Sequence, residues 1–222
     1  MKVNSKKYYA ALDLSGPCSS FSLFDVEDKK VVETKSILLS NRNNFSFFNV
    51  LFCSLKQNNI ELEQISEWFV GIGPGSFTGL RIASSFVSGI IYAKDNIKVN
   101  AIPSVFPLAA KVNSIPNDRI AVLYYASRGE ALIYSIENKD GTLVSKKEPI
   151  LVGKDNISSE FENFEHIAFM DNKFIAEILP ERKNFKVNIF ESYPAELLFL
   201  NKYIHPQYSL KDLIYVRPAT IS

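Results

Sequence analysis

The segment Trp68–Ile91, WFVGIGPGSFTGLRIASSFVSGII, constrains this chain more than any other. A short apolar run, Trp68–Ile72, passes through a loop of Gly73, Pro74, Gly75, Ser76 and Phe77 into a helical pattern that begins near Thr78. Gly73 and Gly75 allow backbone angles and close approaches that a Cβ would block, and Pro74 stiffens the turn between them. Ser76 or Thr78 can cap the helix, whose first free N–H groups can meet an anion, a carboxylate of another chain, or water. The glycines at Gly73, Gly75 and Gly79 are spaced one residue too long for G-x-G-x-x-G. No G-K-[ST] follows them, which excludes a P-loop.

Around this segment the composition is that of an ordinary folded chain. At 46% hydrophobic and 22% charged, 222 residues can bury a large core as one domain or two lobes. A formal net charge of +1 gives no general attraction to nucleic acid or anionic membrane, so contact with RNA is expected to need a partner. The start, MKVNSKKYYAALDLSG, is basic but has only a short apolar run before Asp13 and reads as neither a secretory signal nor a membrane span. A cytoplasmic location is the expectation. Cys18 and Cys53 are far apart with no C-x-x-C, and both are expected to be packed thiols. With His166 and His205 as the only histidines, H-E-x-x-H metallopeptidase chemistry is excluded and a histidine triad has little to draw on.

In chain order, Tyr8–Leu14, Ser20–Phe24 and Val31–Ile37 are predicted strands joined by turn-rich segments. A helix over Asn43–Asn58, the strand Trp68–Ile72, a helix over Thr78–Lys94 and the strand Val99–Ile102 follow. After a short helix, Phe106–Val112, a second strand-rich start is predicted at Ile120–Tyr125, Ala131–Glu137 and Leu143–Lys147, with Asp140-Gly141 as a hairpin turn. The remainder is read as a helix within Ser158–Phe164, the strand Ile167–Met170, a helix Asn172–Leu179, the strand Val187–Ile189 and a helix Pro194–Tyr203. Two strand meanders, each continued by helix–strand units, suggest a duplicated two-lobed α/β fold of the actin, Hsp70 and sugar-kinase (ASKHA) type. The boundary is placed so that residues 1–103 form the first lobe and 104–222 the second.

Two helices of the first lobe stand out. In Asn43–Asn58, Phe45, Phe48, Phe52 and Leu55 form one stripe, and Phe47, Val50 and Leu51 widen it to an arc of roughly 220°, more than one sheet face covers. Either the helix is buried on two sides by its own protein or its second face meets another chain. In Thr78–Lys94, Ser84, Ser85, Ser88 and Gly89 make a patch of small side chains that admits a close neighbour, from this chain or another. Arg81, one turn into that helix, can meet an anion or tie down the loop.

The fold analogy raises the question of phosphoryl transfer. Asp13-Leu14-Ser15-Gly16 places a carboxylate beside turn amides, as a metal-phosphate contact needs. The corresponding turn of the second lobe, Tyr124-Tyr125-Ala126-Ser127-Arg128-Gly129, has no aspartate to close a two-sided clamp. Asp13 and Ser15 are therefore read as a vestigial phosphate or metal site, with Asp13 as a structural carboxylate bonding turn amides. Glu160, Glu162 and Glu165 are spaced as a solvated face, and the 17 Phe and 10 Tyr lack interleaved basic residues, which assigns them to core and interface.

As a continuous string, GIGPGSFTGLRIASSFVSGI, from Gly71 to Ile90, closely resembles the signature of the TsaB (YeaZ) family, bacterial partners of the TsaD enzyme that makes threonylcarbamoyladenosine in tRNA. ALDLSGPCSSFSLFD is similar to that family's first hairpin, SRGEALIYSI from Ser127 to its R-G-E-V-Y strand, and LIYVRPA from Leu213 to its closing P-x-Y-L-R. The sequence departs from the family at Phe45, where many members have histidine, and at Tyr125, where an aspartate is usual before the R-G-E strand. The resemblance implies a two-lobed protein without a cofactor or metal site and without catalytic residues of its own. It implies pairing, through the first-lobe helices, with a TsaD-like subunit or with a second copy, a TsaE-like ATPase in the assembly, and tRNA contact only through the complex. The competing expectation is a small ASKHA-type phosphotransferase or nucleotide hydrolase that uses Asp13. A glycoprotein peptidase finds no nucleophile–base pair in the sequence.

Overall fold

The computed structural model describes residues 6–38, 45–92, 94, 96–127, 129–145, 148–153, 160–179, 184–200 and 202–216. Its first sheet is built from β1 (Tyr8–Asp13), β2 (Cys18–Asp25), β3 (Lys30–Leu38), β4 (Ile65–Gly71) and β5 (Lys98–Ile102), in the order β3-β2-β1-β4-β5. The first three strands are an antiparallel meander, with Ala11 opposite Ser22, and β4 and β5 add in parallel, with Leu12 beside Val70. Trp68, Phe69, Val70 and Gly71 are all buried, as a central parallel strand covered on both faces requires. Helices α1 (Phe45–Gln57) and α2 (Phe77–Ile91) provide the crossovers around β4.

The second sheet repeats this plan. After α3 (Val105–Lys111) come β6 (Arg119–Ser127), β7 (Glu130–Lys139), β8 (Thr142–Ser145), β9 (Ile150–Gly153), β10 (His166–Met170), α4 (Lys173–Ile178), β11 (Lys186–Phe190) and β12 (Tyr203–Ile204). The order β11-β10-β6-β7-β8 matches β5-β4-β1-β2-β3 position by position, with β10 and β11 parallel to β6. This is the two-lobed ASKHA arrangement. The Asp140-Gly141 turn closes β7 onto β8 with both residues at positive φ, as that dipeptide favours.

Among the described residues three apolar clusters hold the layers together. One lies between the outer face of the first sheet and α1 and α2, with Phe47, Leu51, Leu55, Trp68, Ala83 and Val87 buried in it. A second covers the outer face of the second sheet with Phe161 and Ile175. The third joins the lobes through α3 and a 3₁₀ turn at Ala195–Phe199. Phe199 of that turn packs against Phe24 and Phe69 of the first sheet at 5.5 and 5.2 Å between ring centroids.

Several sequence expectations are corrected in extent. Helix α2 ends at Ile91 rather than Lys94, where the Tyr92 N–H still bonds Ser88 O. The helix expected over Pro194–Tyr203 is a short 3₁₀ helix, Ala195–Phe199, that stops where Leu200 turns to extended backbone and is followed by β12. Of the helix expected within Ser158–Phe164 only a 3₁₀ turn at Phe161–Asn163 is seen, and 158–159 lie outside the described residues, as do 43–44 and 146–147. Strand β9 was not expected. Cys18 is buried, but Cys53 is exposed on α1 rather than packed. Among the described residues no helix is long and apolar enough to cross a membrane.

The turn from α3 into the second sheet is tied by a carboxylate. Asp118 accepts the Ile115 N–H at 2.8 Å and pairs with buried His166 Nε2 at 2.9 Å. Burial alone would raise this carboxyl, but the Ile115 amide, His166 and nearby Lys186 outweigh it and hold the carboxyl below its usual range. A depressed folded-state value adds stability that is present above the unfolded carboxylate value, roughly pH 4, and is lost as pH falls through the folded one. The wild type is expected to exceed Asp118→Asn in thermal midpoint at pH 7, with the gap closing towards pH 3. A constant gap across a pH series of melts would refute the pairing.

Candidate functional site

The loop between β4 and α2 is pressed against its own chain. Gly73 has φ +98°, and a Cβ there would lie 2.2 Å from Ile214 O. At Gly75 a Cβ would lie 2.2 Å from Ser15 O, and at Gly79 1.9 Å from Leu14 O. These contacts are to backbone, which cannot swing aside. The glycines thus let the β1–β2 turn and the segment near Ile214 close onto the start of α2, and Ser76 N–H seals the approach by donating to Ser15 O at 2.8 Å. Ser76 also caps α2, its Oγ accepting the Gly79 N–H at 3.3 Å. Thr78 is exposed in the first turn, and Pro74 is buried behind a cis bond from Gly73. The bare faces of these glycines are filled from within the chain.

Asp13 sits beneath that loop and is 0% exposed. Its carboxylate accepts the Ser15 N–H at 2.7 Å and the hydroxyls of Ser15 and Ser104. Ser104 Oγ in turn accepts the Gly73 N–H at 3.0 Å, and Ser104 O accepts from Tyr193 Oη of the second lobe at 3.2 Å. Burial drives the Asp13 carboxyl upward, opposed by these hydrogen bonds. Both oxygens are occupied by the protein. A cleft of about 530 Å³ opens nearby between the lobes, lined by Gly16, Phe77, Tyr124, Tyr125, Met170 and Val216. Asp171, at the end of β10, is the carboxylate that the second lobe brings to this cleft, and it was missed because nothing local marks it. Tyr125 stands against Phe174 at 4.9 Å, and Arg128 lies outside the described residues.

The outer faces of α1 and α2 divide the remaining candidates. Leu55 is 4% exposed and packs in the first-lobe core, which leaves it little surface to offer an interface. Phe47, Leu51 and Leu55 share the buried face of α1, so the stripe through Phe48 and Phe52 lies at its edge. Phe48 is half-buried, 4.4 Å from Phe86 of α2, while Phe52 is 45% exposed. The side chain of Phe45 lies outside the described residues. On α2, Arg81 sits over the Phe77 ring at 4.9 Å, within its own chain. Ser84 donates to Leu210 O at 2.7 Å and is likewise spent internally.

Ser85, Ser88 and Gly89 remain exposed, and a Cβ on Gly89 would meet nothing within 4 Å. Exposed aromatics flank them: Phe77 at 41%, expected only as a loop residue, and Tyr92 at 83%, which nothing local marks. The exposed positions Thr78, Arg81, Ser85, Ser88 and Tyr92 recur at three and four residues and so lie on one face. The result is a shallow, small-residue strip between aromatic ends, with Phe52 on the neighbouring helix.

Residues 47–186 match the family model described as TsaD: tRNA N6-adenosine threonylcarbamoyltransferase. Among solved structures, YeaZ from Pseudomonas aeruginosa superposes with a TM-score of 0.69 at 19% identity, over 86% of this chain and 88% of that one. A crystal structure of an uncharacterized protein with similarity to peptidase YEAZ, also from Pseudomonas aeruginosa, gives 0.69 at 18% identity over the same shares. No curated protein has a significant match to the sequence. Since the matched segment runs from within α1 to the first residue of β11 and exceeds half of the chain, this protein belongs to the TsaD family of tRNA N6-adenosine threonylcarbamoyltransferase, and its fold is that of YeaZ.

Proposed function

We propose that this chain is a non-catalytic partner of a TsaD-type transferase, docking through the exposed strip of α2 and the adjoining Phe52 of α1, in the formation of threonylcarbamoyladenosine on tRNA. Membership of the TsaD family supports the reaction class. The observation that carries the partner role is Gly89. A glycine in an exposed helix interior costs about 1 kcal/mol against alanine, and here no neighbour among the described residues uses the space it leaves. A second helix laid across Ser85, Ser88 and Gly89 would use it, with Phe52 and Tyr92 as apolar anchors on either side. The same strip offers a second copy of this chain the same contact, so a homodimer in isolation competes with the transferase subunit. A TsaE-like ATPase joins the assembled complex in the cytoplasm, and tRNA is reached only through it.

The alternative, a phosphotransferase or nucleotide hydrolase using Asp13, is disfavoured by the occupied carboxylate, which no ligand in the cleft could reach without displacing Ser15 and Ser104. Ser88→Trp is expected to abolish co-purification with the cognate TsaD-type subunit while leaving the circular dichroism spectrum and melting midpoint unchanged. Phe52→Asp is expected to weaken the same association at least about tenfold, the loss of one well-packed aromatic anchor. Phe48→Asp is a poorer probe, since it strikes the packing of α1 on Phe86. Normal co-purification of both folded variants would place the contact elsewhere.

A further inference from the structure

Beyond β12 the chain leaves the second lobe and crosses the first. Tyr208 forms an antiparallel bridge with Ala101 on β5. Leu210, 9% exposed, enters the first-lobe core, and its carbonyl is held by Ser84 Oγ of α2 at 2.7 Å. The Ile214 N–H donates to Ile72 O at 2.8 Å, Tyr215 pairs with Gly75 and packs its ring, tilted, at 4.9 Å against Phe77, and Val216 reaches the interlobe cleft. The segment is thus attached to the first lobe at a few separate points, and its last residue, Val216, packs on the interlobe core and borders the cleft. Lys211 and Asp212 between those points are exposed.

Such an element, with isolated hydrogen bonds and one buried apolar anchor, opens at a lower free energy than the sheets beneath it. We propose that Tyr208–Val216 is a releasable strap: it detaches as a unit from α2 and the glycine loop, and its departure uncovers the cleft between the lobes. This accounts for Ser84, whose hydroxyl faces the strap instead of a partner, and for Gly73, whose missing Cβ admits Ile214 O. The inference does not depend on the docking reading, because release is read on the isolated protein.

The test compares the full chain with Ser84→Ala and Leu210→Ala in two measurements. One is amide exchange at Ile214, with Val70 in β4 as the internal reference. The other is sulfoxide formation at Met170, which is 7% exposed and lines the cleft, in dilute peroxide. Loss of the Ser84 hydrogen bond is expected to speed Ile214 exchange about fivefold, and loss of the Leu210 anchor about thirtyfold or more, with Val70 unchanged. Met170 oxidation should accelerate in the same order. The proposal is overturned if Ile214 keeps the protection of Val70 in both variants, since the strap then opens only with the whole protein. It is equally overturned if Ile214 exchange rises while Met170 oxidation does not, since the strap then covers nothing. Should Leu210→Ala also expose Val70, Ser84→Ala decides alone.

Discussion

Gly79→Ala is expected to lower the thermal midpoint by about 10 °C, on the order of 3 kcal/mol for overpacking a buried contact, whereas Gly89→Ala on the same helix is expected to leave it unchanged or raise it. The two sites differ in what a methyl group meets. At Gly79 it would lie 1.9 Å from Leu14 O, a backbone atom in a turn that is itself pinned by Ser76 N–H and by Asp13. Neither the helix nor the turn can retreat alone, so α2 would have to lift from the sheet and give up part of the packing of Leu80, Ala83 and Val87. At Gly89 a methyl meets nothing within 4 Å, and the better helix propensity of alanine is free to act. Differential scanning calorimetry of the two variants beside the wild type separates a packing glycine from a surface glycine. A neutral Gly79→Ala would refute the close approach on which the loop is built.

This contrast also marks what the residues alone disclosed. The strand–loop–helix at Trp68–Ile91 and the two meanders were legible, because alternation, turn residues and the helical repeat are local signals. The buried face of α1 was not. Phe45, Phe48, Phe52 and Leu55 on one hand and Phe47, Leu51 and Leu55 on the other both recur at helical spacing, and only the position of the sheet selects the second set. Strand β9, only the four residues that directly follow Pro149, has too little alternation to announce itself. The roles of Gly73, Gly75 and Gly79 depend on Ile214, Ser15 and Leu14, which are remote in sequence, so glycine spacing alone does not disclose them. Ser84 shows the same limit from the other side. As a small residue on a helix it was grouped with Ser85 and Ser88, yet one turn of the strap claims it.

Asp13 offers the sharpest separation of a structural from a catalytic carboxylate. Asp13→Ala is expected to destabilise by about 3 kcal/mol or more, because it strands the Ser15 amide and two hydroxyls in a site closed to water. Asp13→Asn keeps an acceptor for Ser15 and supplies a donor to Ser104 Oγ, so its stability at neutral pH is expected to fall within about 1 kcal/mol of the wild type. The pH dependence carries the sign. Burial raises the folded-state value of this carboxyl, so its contribution is full below the unfolded value, roughly pH 4, and is lost as pH rises through the folded one. The wild type should therefore lose ground to Asp13→Asn between pH 4 and neutrality, the reverse of the trend at Asp118. A catalytic Asp13 makes the opposite prediction for function, since asparagine cannot hold a metal-bound phosphate or take a proton. Transfer of the threonylcarbamoyl group by the reconstituted complex is expected to survive Asp13→Asn and to fail in Asp13→Ala only to the extent that the protein unfolds. A stably folded Asp13→Asn that abolished transfer, or that removed nucleotide hydrolysis by the isolated chain, would reverse the assignment and make the buried carboxylate an active-site group that must first be uncovered.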